Sequence, residues 1–188
     1  MAGSHARQIH RALPATQAVS RRILVLGGAR SGKSRHAEEI ALRHQGERIY
    51  IATAEPGDEE MQRRIADHRR RRGTEWRTHE EPVELTNALQ RACGERRIVL
   101  VDCITLWLSN LLMLERDAGQ EIDRLCMMLP ALGGTVIFVS NEVGLGIVPE
   151  NALARRFRDE AGFANQRVAA ACDEVVVMVA GLAMKLKG

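Results

Sequence analysis

From residue 21 onward, short runs of β-branched residues and leucine alternate with longer stretches in which apolar positions recur every three or four residues. The runs Arg22 to Leu26, Arg48 to Ala52, Ile98 to Asp102, Thr135 to Ser140 and Glu174 to Ala180 predict strands, and their near-continuous hydrophobicity suits strands covered on both faces. The intervening periodicity predicts helices over 32–45, 58–72, 82–93, 104–129 with a break near Asp117 to Gly119, and 150–171, with Pro149 where a helix can begin. Strand and helix in alternation predict an α/β fold, a mostly parallel sheet flanked by helices. With no repeats and no low-complexity linker, 21–188 is expected to be one catalytic domain. Residues 1–20 lack a sustained period and are expected to form a poorly ordered tail. Arg7 and Arg11 without any acid suit a transit peptide, but the segment has no convincing apolar face.

Composition narrows the function classes. The chain has 188 residues, only 3% of them aromatic, so its core must be aliphatic and alanine-rich. A net charge of +3 argues against a large nucleic-acid footprint, and the few aromatics give no platform for stacking bases. Cys93, Cys103, Cys126 and Cys172 are far apart in sequence and form no C-x-x-C pair, which predicts reduced, structural thiols and a cytoplasmic protein. No window of about 18 uninterrupted apolar residues predicts a membrane span.

The first candidate chemistry follows the first strand. Gly27-Gly28-Ala29-Arg30-Ser31-Gly32-Lys33-Ser34 has the spacing G-x-x-x-x-G-K-[ST], and it stands between a strand and a helix. In such a loop the glycines let backbone N–H groups point at phosphate oxygens, and the following helix N-terminus adds its positive end. Lys33 is placed to reach the β- and γ-phosphates, and the Ser34 hydroxyl to ligate magnesium. Asp102 ends the apolar run Ile98 to Val101 at the edge where a parallel sheet presents its ligands, which suits a carboxylate completing that magnesium site.

A second candidate lies in the stretch from Asp58 to Arg72, acidic at its start and basic at its end, as a helix dipole favours. Met61, Ile65, His68 and Arg72 share one face at helical spacing, so His68 is expected to point inward, beside Arg69, Arg70, Arg71 and Arg72. Positive neighbours favour anions and the neutral imidazole. Such a nitrogen can attack phosphorus, although a structural histidine on a basic helix end is the more ordinary use of these residues taken alone. His5, His10, His36, His44 and His79 show no zinc-ligand spacing.

Several segments together carry a family resemblance. They are the loop at 27–34, Tyr50-Ile51-Ala52-Thr53-Ala54, Arg64-Ile65-Ala66-Asp67-His68-Arg69, Trp76 to Glu80, Val101 to Asn110 and Ser140 to Pro149. In these the chain resembles the bifunctional adenosylcobinamide kinase/adenosylcobinamide-phosphate guanylyltransferases of cobalamin biosynthesis, from about Arg22 to its C-terminus. The resemblance implies a RecA-like P-loop fold, a homotrimer, and two reactions. ATP or GTP phosphorylates adenosylcobinamide; GTP then guanylylates a histidine, here His68, and GMP passes to adenosylcobinamide phosphate to give adenosylcobinamide-GDP. It also implies that GTP is held by Gly27 to Ser34, Ala52, Thr53, Ala54, Arg69 to Arg72, Glu80 and Asp102, with Mg2+ on Ser34 and Asp102.

Phe163-Ala164-Asn165-Gln166 and Gly181-Leu182-Ala183-Met184 depart from the family's Arg-Leu-Asn-Gln and Gly-Leu-Pro-Leu segments and leave the nucleotide motifs untouched. The Asn141 to Pro149 loop reads either as a corrinoid-side wall or as a tight turn. Two other functions fit the phosphate loop alone. One is a small-molecule kinase without guanylyltransferase activity, and the other a RecA-like motor or switch.

Overall fold

The computed structural model describes residues 20–55, 57 and 59–188, and of these all side chains except those at 60, 61, 64, 68, 71 and 72. The expected tail therefore lies outside the described residues up to position 19.

The chain runs β1 (Arg21–Gly27), α1 (Lys33–Leu42), β2 (Glu47–Ala52), α2 (Glu59–Arg72), a 3-10 turn (Gly73–Glu75), β3 (Trp76–Glu80), α3 (Leu85–Ala92), β4 (Arg97–Asp102) and α4 (Ile104–Met113). It continues with α5 (Ala118–Met128), a second 3-10 turn (Leu129–Ala131), β5 (Thr135–Asn141), α6 (Ala152–Ala171), β6 (Glu174–Val179) and β7 (Leu182–Lys187). The seven strands form one sheet in the order β3-β2-β4-β5-β1-β6-β7. All neighbours are parallel except β6 and β7.

Alternation along the strands divides the core. Leu24, Val101 and Phe138 face a layer built from α3, α4, α5 and α6, where Leu89, Trp107, Ile122 and Ala164 are buried. Val25, Tyr50, Leu100 and Val139 face the other way, against Ala37 and Ala41 of α1. Burial of each such aliphatic side chain contributes about 1.5–3 kcal/mol. The substitution Arg22 by an apolar residue would open one corner of this core. Its buried guanidinium donates to the carbonyls of Leu129, Leu132 and Gly134, joining β1 to the turn before β5.

Four boundaries differ from the sequence reading. β3 was not expected, because Trp-Arg-Thr-His-Glu has no apolar alternation; it is an edge strand with only Trp76 buried. β7 follows a two-residue hairpin turn in which Ala180 (φ 51°) and Gly181 (φ 81°) are both left-handed, as a primed turn requires. The long helix breaks over 114–117, earlier than predicted, because Asp117 accepts from the Gln120 N–H at 3.0 Å and caps α5, leaving Gly119 within its first turn. The last helix starts at Ala152 and not at Pro149, since Asn151 Oδ1 accepts from the N–H groups of Leu153 and Ala154 at 2.8 and 3.1 Å.

Among the described residues α2 packs chiefly on the 3-10 turn that follows it. Gln62, Arg63, Ala66, Asp67, Arg69 and Arg70 are exposed and Ile65 is half-buried. The predicted inward face of Met61, His68 and Arg72 falls on side chains outside the described ones.

Candidate active site

The C-terminal ends of β1, β4 and β5 lie along one edge of the sheet, and the phosphate loop is built there. Parallel pairing sets Gly27 opposite Asn141 of β5 and Asp102 opposite Val139. Because β5 intervenes, Asp102 stands two strands from the loop, about 10 Å across the sheet. The loop closes through the Ser31 N–H on the Gly28 carbonyl at 3.3 Å, and Gly32 enters α1 in a left-handed conformation (φ 96°) that glycine adopts without strain. The β6–β7 turn buttresses it from outside, where the Gly181 N–H donates to the Ser31 carbonyl at 3.1 Å.

A Cβ on Gly27 would lie 2.4 Å from Ser31 Oγ and 2.8 Å from the Met178 carbonyl, so no larger residue fits that position. Ser31 Oγ is buried and makes no hydrogen bond, an unmet polar atom inside the cradle. Lys33 Nζ donates to the Gly28 carbonyl at 3.0 Å, which holds the ammonium across the loop. Ser34 follows in the first turn of α1.

Asp102 is supported from β2. The Tyr50 hydroxyl donates to Asp102 Oδ2 at 2.9 Å, and the Tyr50 ring meets Trp76 edge-on, with centroids 6.0 Å apart and planes at 87°. Tyr50 and Asp102 project from the same sheet face as Leu100, the face toward α1. Sequence reasoning did not give Tyr50 a role of its own. The register β2/β4, which puts Tyr50 beside Leu100 and two residues back from Asp102 on the same face, is the signal that locates it.

Thr53 is a strut. It is fully buried; its hydroxyl donates to the Cys103 carbonyl and accepts from the Cys103 N–H, both at 2.7 Å. Its N–H donates to the Asp102 carbonyl at 3.1 Å and its own carbonyl accepts from Asn110 Nδ2 at 2.8 Å. Every polar group of Thr53 is thus committed within the protein, whereas Ala52 and Ala54 on either side are half-buried at the edge. The Asp102–Cys103 peptide that Thr53 clips is cis. Burial, and then the neighbouring Asp102 charge, push the Cys103 thiol up to about 11, so it stays protonated. Burial likewise pushes Cys93 to about 11 and Cys172 to about 12. All four cysteines are free, as the sequence suggested.

The end of β5 carries a buried polar network that the sequence did not signal. Ser140 Oγ donates to Asn165 Oδ1 at 2.7 Å, Asn165 Nδ2 to the Asn141 carbonyl at 3.1 Å, and the Asn141 N–H to Thr105 Oγ1 at 2.7 Å. The Glu142 N–H then donates to the Gly27 carbonyl at 3.0 Å. These bonds fix the point at which the 142–151 loop leaves the phosphate cradle.

The second candidate element reaches the same edge of the sheet. Arg69, next to His68 in α2, forms an ion pair with Glu80 at the end of β3, and Glu80 stands opposite Ala52. An open cleft of about 590 Å³ lies between them, lined by Arg69, Gly73, Thr78, His79 and Glu80. The pair is exposed on both sides, so little is lost when a ligand separates it. Arg70 pairs with Asp67 one turn back. The His68, Arg71 and Arg72 side chains, in the last turns of α2, lie outside the described ones.

Among the described residues no group of three or more His, Cys, Asp or Glu could hold a metal by itself. Ser34 and Asp102 supply hard oxygen donors, the set that suits Mg2+ when phosphates and water complete its shell. No helix among the described residues is long and apolar enough to cross a membrane.

Residues 23–186 match the family described as cobinamide kinase / cobinamide phosphate guanyltransferase. The chain is 50% identical to the bifunctional adenosylcobalamin biosynthesis protein CobP of Pseudomonas aeruginosa, over 89% of this chain and 98% of that protein. It is 41% identical to the bifunctional adenosylcobalamin biosynthesis protein CobU of Escherichia coli, over 88% of this chain and 99% of that protein. Its fold is similar to that of an ATPase from a bacterial type III secretion system (TM-score 0.55, 13% identity), over 88% of this chain and 56% of that longer one. It is also similar to the flagellar accessory protein FlaH of Methanocaldococcus jannaschii (TM-score 0.53, 14% identity), over 89% of this chain and 78% of that one. These structural likenesses show a shared fold, a mostly parallel sheet flanked by helices.

Proposed function

Since the chain belongs to the cobinamide kinase / cobinamide phosphate guanyltransferase family, we propose that it performs two successive phosphorus transfers at the edge described above. In the first, the aminopropanol hydroxyl of adenosylcobinamide attacks the γ-phosphorus of ATP or GTP. The new P–O bond forms as the bond to the nucleoside diphosphate breaks, and the hydroxyl proton is lost. In the second, the neutral His68 ring nitrogen attacks the α-phosphorus of GTP and pyrophosphate leaves. The phosphate of adenosylcobinamide phosphate then attacks the resulting P–N bond, giving adenosylcobinamide-GDP and returning histidine, protonated as it leaves.

Backbone N–H groups of Gly27 to Ser34 bind the phosphate chain, and Lys33 leaves the Gly28 carbonyl to meet the β- and γ-phosphates. Ser34 and Asp102 would hold Mg2+, which when bound neutralises phosphate charge. Arg69 to Arg72 neutralise charge developing around the α-phosphate, and Glu80 offers an acceptor to N–H donors of the base. Ala52 and Ala54 contribute edge backbone to the nucleotide, while Thr53 acts through Cys103 and Asp102. The reading further takes the protein to be a cytoplasmic homotrimer.

The observation that supports this reading is the Arg69–Glu80 pair, which ties α2 beside His68 to the C-terminal end of β3, the same end of the sheet as the phosphate loop, four strands away. The test is turnover. Protein supplied with adenosylcobinamide, ATP and GTP is expected to yield adenosylcobinamide phosphate and then adenosylcobinamide-GDP, and Lys33→Ala is expected to abolish the first product. Nucleotide hydrolysis stimulated by nucleic acid, with cobinamide unchanged, would refute the proposal in favour of a motor.

A further inference from the structure

β5 lies between β1, which runs into the phosphate loop, and β4, which ends in Asp102. Its last residue, Asn141, pairs with Gly27, while Asp102 pairs with Val139 two residues earlier. Ile137 and Val139 are buried on the α1 side of the sheet with Val25 and Leu100. Alternation therefore puts the half-buried Asn141 side chain on that side too, with the Asp102 carboxylate and the helix that the phosphate loop enters. From the spacings of a parallel sheet, Asn141 Cα stands about 5 Å from that of Gly27 and about 8 Å from that of Asp102.

The main chain of Asn141 is held from the opposite face by Thr105, Ser140 and Asn165, all buried. Ser140 uses its one proton on Asn165 Oδ1, so the Thr105 hydroxyl is the donor in the 3.3 Å bond between Thr105 and Ser140. Thr105 Oγ1 accepts from the Asn141 N–H, and Asn165 Nδ2 donates to the Asn141 carbonyl. The side chain is engaged far less. Among the described residues its amide makes one hydrogen bond, from Nδ2 to Cys103 Sγ at 3.9 Å, and sulfur is a weak acceptor. Cys103 Sγ itself donates to Thr105 Oγ1 at 3.8 Å, which leaves the sulfur as the acceptor and orients the amide with its N–H groups toward Cys103, the residue after Asp102. On the other flank, Lys33 Nζ rests on the carbonyl of Gly28, next to the register partner of Asn141. A rigid main chain thus carries a weakly engaged donor between the loop lysine and the Asp102 carboxylate. The phosphoryl group that such a lysine and such a carboxylate approach together is the terminal one of a nucleoside triphosphate.

We propose that Asn141 Nδ2 donates a hydrogen bond to a non-bridging oxygen of the γ-phosphoryl group and stabilises that group during its transfer to the acceptor. The proposal rests on the kinase half of the function above. As the acceptor oxygen bonds to the γ-phosphorus, the bond to the bridging oxygen breaks and its electron pair leaves with the nucleoside diphosphate. The hydroxyl proton passes to solvent water, and Asn141 gives up none. Leaving the sulfur for a charged oxygen gains the amide a stronger acceptor. The contact serves the kinase step selectively, because in guanylylation the bond that breaks is at the α-phosphorus and the γ-group departs unchanged within pyrophosphate.

The test uses full-length Asn141→Asp and Asn141→Ala. The aspartate has the same shape and keeps both main-chain bonds, but puts a charged acceptor where the donor was. Its rate of adenosylcobinamide phosphorylation at saturating nucleotide is expected to fall on the order of a hundredfold or more, the loss typical of one donor to transition-state charge. Asn141→Ala is expected to lose a similar factor. In the alanine variant the affinity for a nucleoside diphosphate, which lacks the γ-group, should stay at the wild-type value. So should the rate of labelling by GTP carrying a labelled α-phosphate, measured at saturating GTP without acceptor. Phosphorylation by Asn141→Asp at the wild-type rate overturns the proposal. Diphosphate affinity or labelling that falls along with phosphorylation in Asn141→Ala also overturns it, and makes Asn141 a general support of the sheet end. If the wild-type protein leaves adenosylcobinamide unchanged, the proposed function itself fails, a result separate from variants that behave like a competent wild type.

Discussion

Replacing Tyr50 by phenylalanine removes one oxygen atom and keeps the ring against Trp76. The lost bond is the one from the hydroxyl to Asp102 Oδ2, and a hydrogen bond to a charged group contributes about 1.5–3 kcal/mol. Asp102 is half-buried, so water can replace part of that contact and the lower figure applies. For a chain of this length about 1.5 kcal/mol corresponds to a fall in melting temperature of roughly 3–6 °C. The larger consequence concerns the metal. Partners that orient a ligating carboxylate typically change metal affinity by about 10–100-fold when removed. Tyr50→Phe is therefore expected to raise by at least about tenfold the Mg2+ concentration needed for half-maximal binding of a fluorescent GTP analogue. Nucleotide binding without Mg2+ should stay the same. A variant with the expected small thermal shift but a wild-type Mg2+ midpoint would show that Tyr50 only packs, and the reasoning about Asp102 would fail.

Other consequences follow from groups farther from the chemistry. Arg22→Met leaves the carbonyls of Leu129, Leu132 and Gly134 without their donor in the interior, which costs about 3–5 kcal/mol and lowers the melting temperature on the order of 10 °C by calorimetry. The KM for nucleotide should be nearly unchanged in the folded fraction. Cys93, Cys103 and Cys172 have folded values raised above 9.0, so the unfolded chain gives up these protons first. Their contribution is fully present below pH 9 and lost as pH rises through about 11 to 12, so denaturant midpoints should fall across that window and not below it. A triple substitution Cys93→Ala, Cys103→Ala, Cys172→Ala should flatten that fall.

Parts of this architecture were legible because they depend on local pattern. Runs such as Ile98 to Val101 and Val136 to Val139 are buried on both faces, and continuous hydrophobicity signals such strands directly. The phosphate loop was legible for the same reason, since its glycines and lysine answer to backbone geometry within eight residues. β3 was not, because a strand that pairs only along one edge can keep Arg77, Thr78, His79 and Glu80 in solvent and needs no apolar alternation. β7 was hidden differently, as its apolar side chains Leu182, Met184 and Leu186 remain exposed and so mimic no buried pattern.

The roles of Tyr50, Thr53 and Asn165 depend on register between distant strands and helices, which composition does not encode. Thr53 illustrates the limit, since a family motif places it beside the nucleotide while its hydrogen bonds tie it to Cys103. The link between the two chemical elements, the Arg69–Glu80 pair, likewise arises only once β3 has set Glu80 opposite Ala52.

The central claim is that the turn of α2 at this edge takes GMP onto His68. It is tested most directly by incubating the protein with GTP labelled on the α-phosphate, then quenching and mapping the label by peptide mass spectrometry. The account predicts an acid-labile GMP adduct on His68, absent in His68→Ala and discharged when adenosylcobinamide phosphate is added. Equal labelling of His68→Ala, or no adduct on a protein that still phosphorylates adenosylcobinamide, would contradict it and leave a kinase alone.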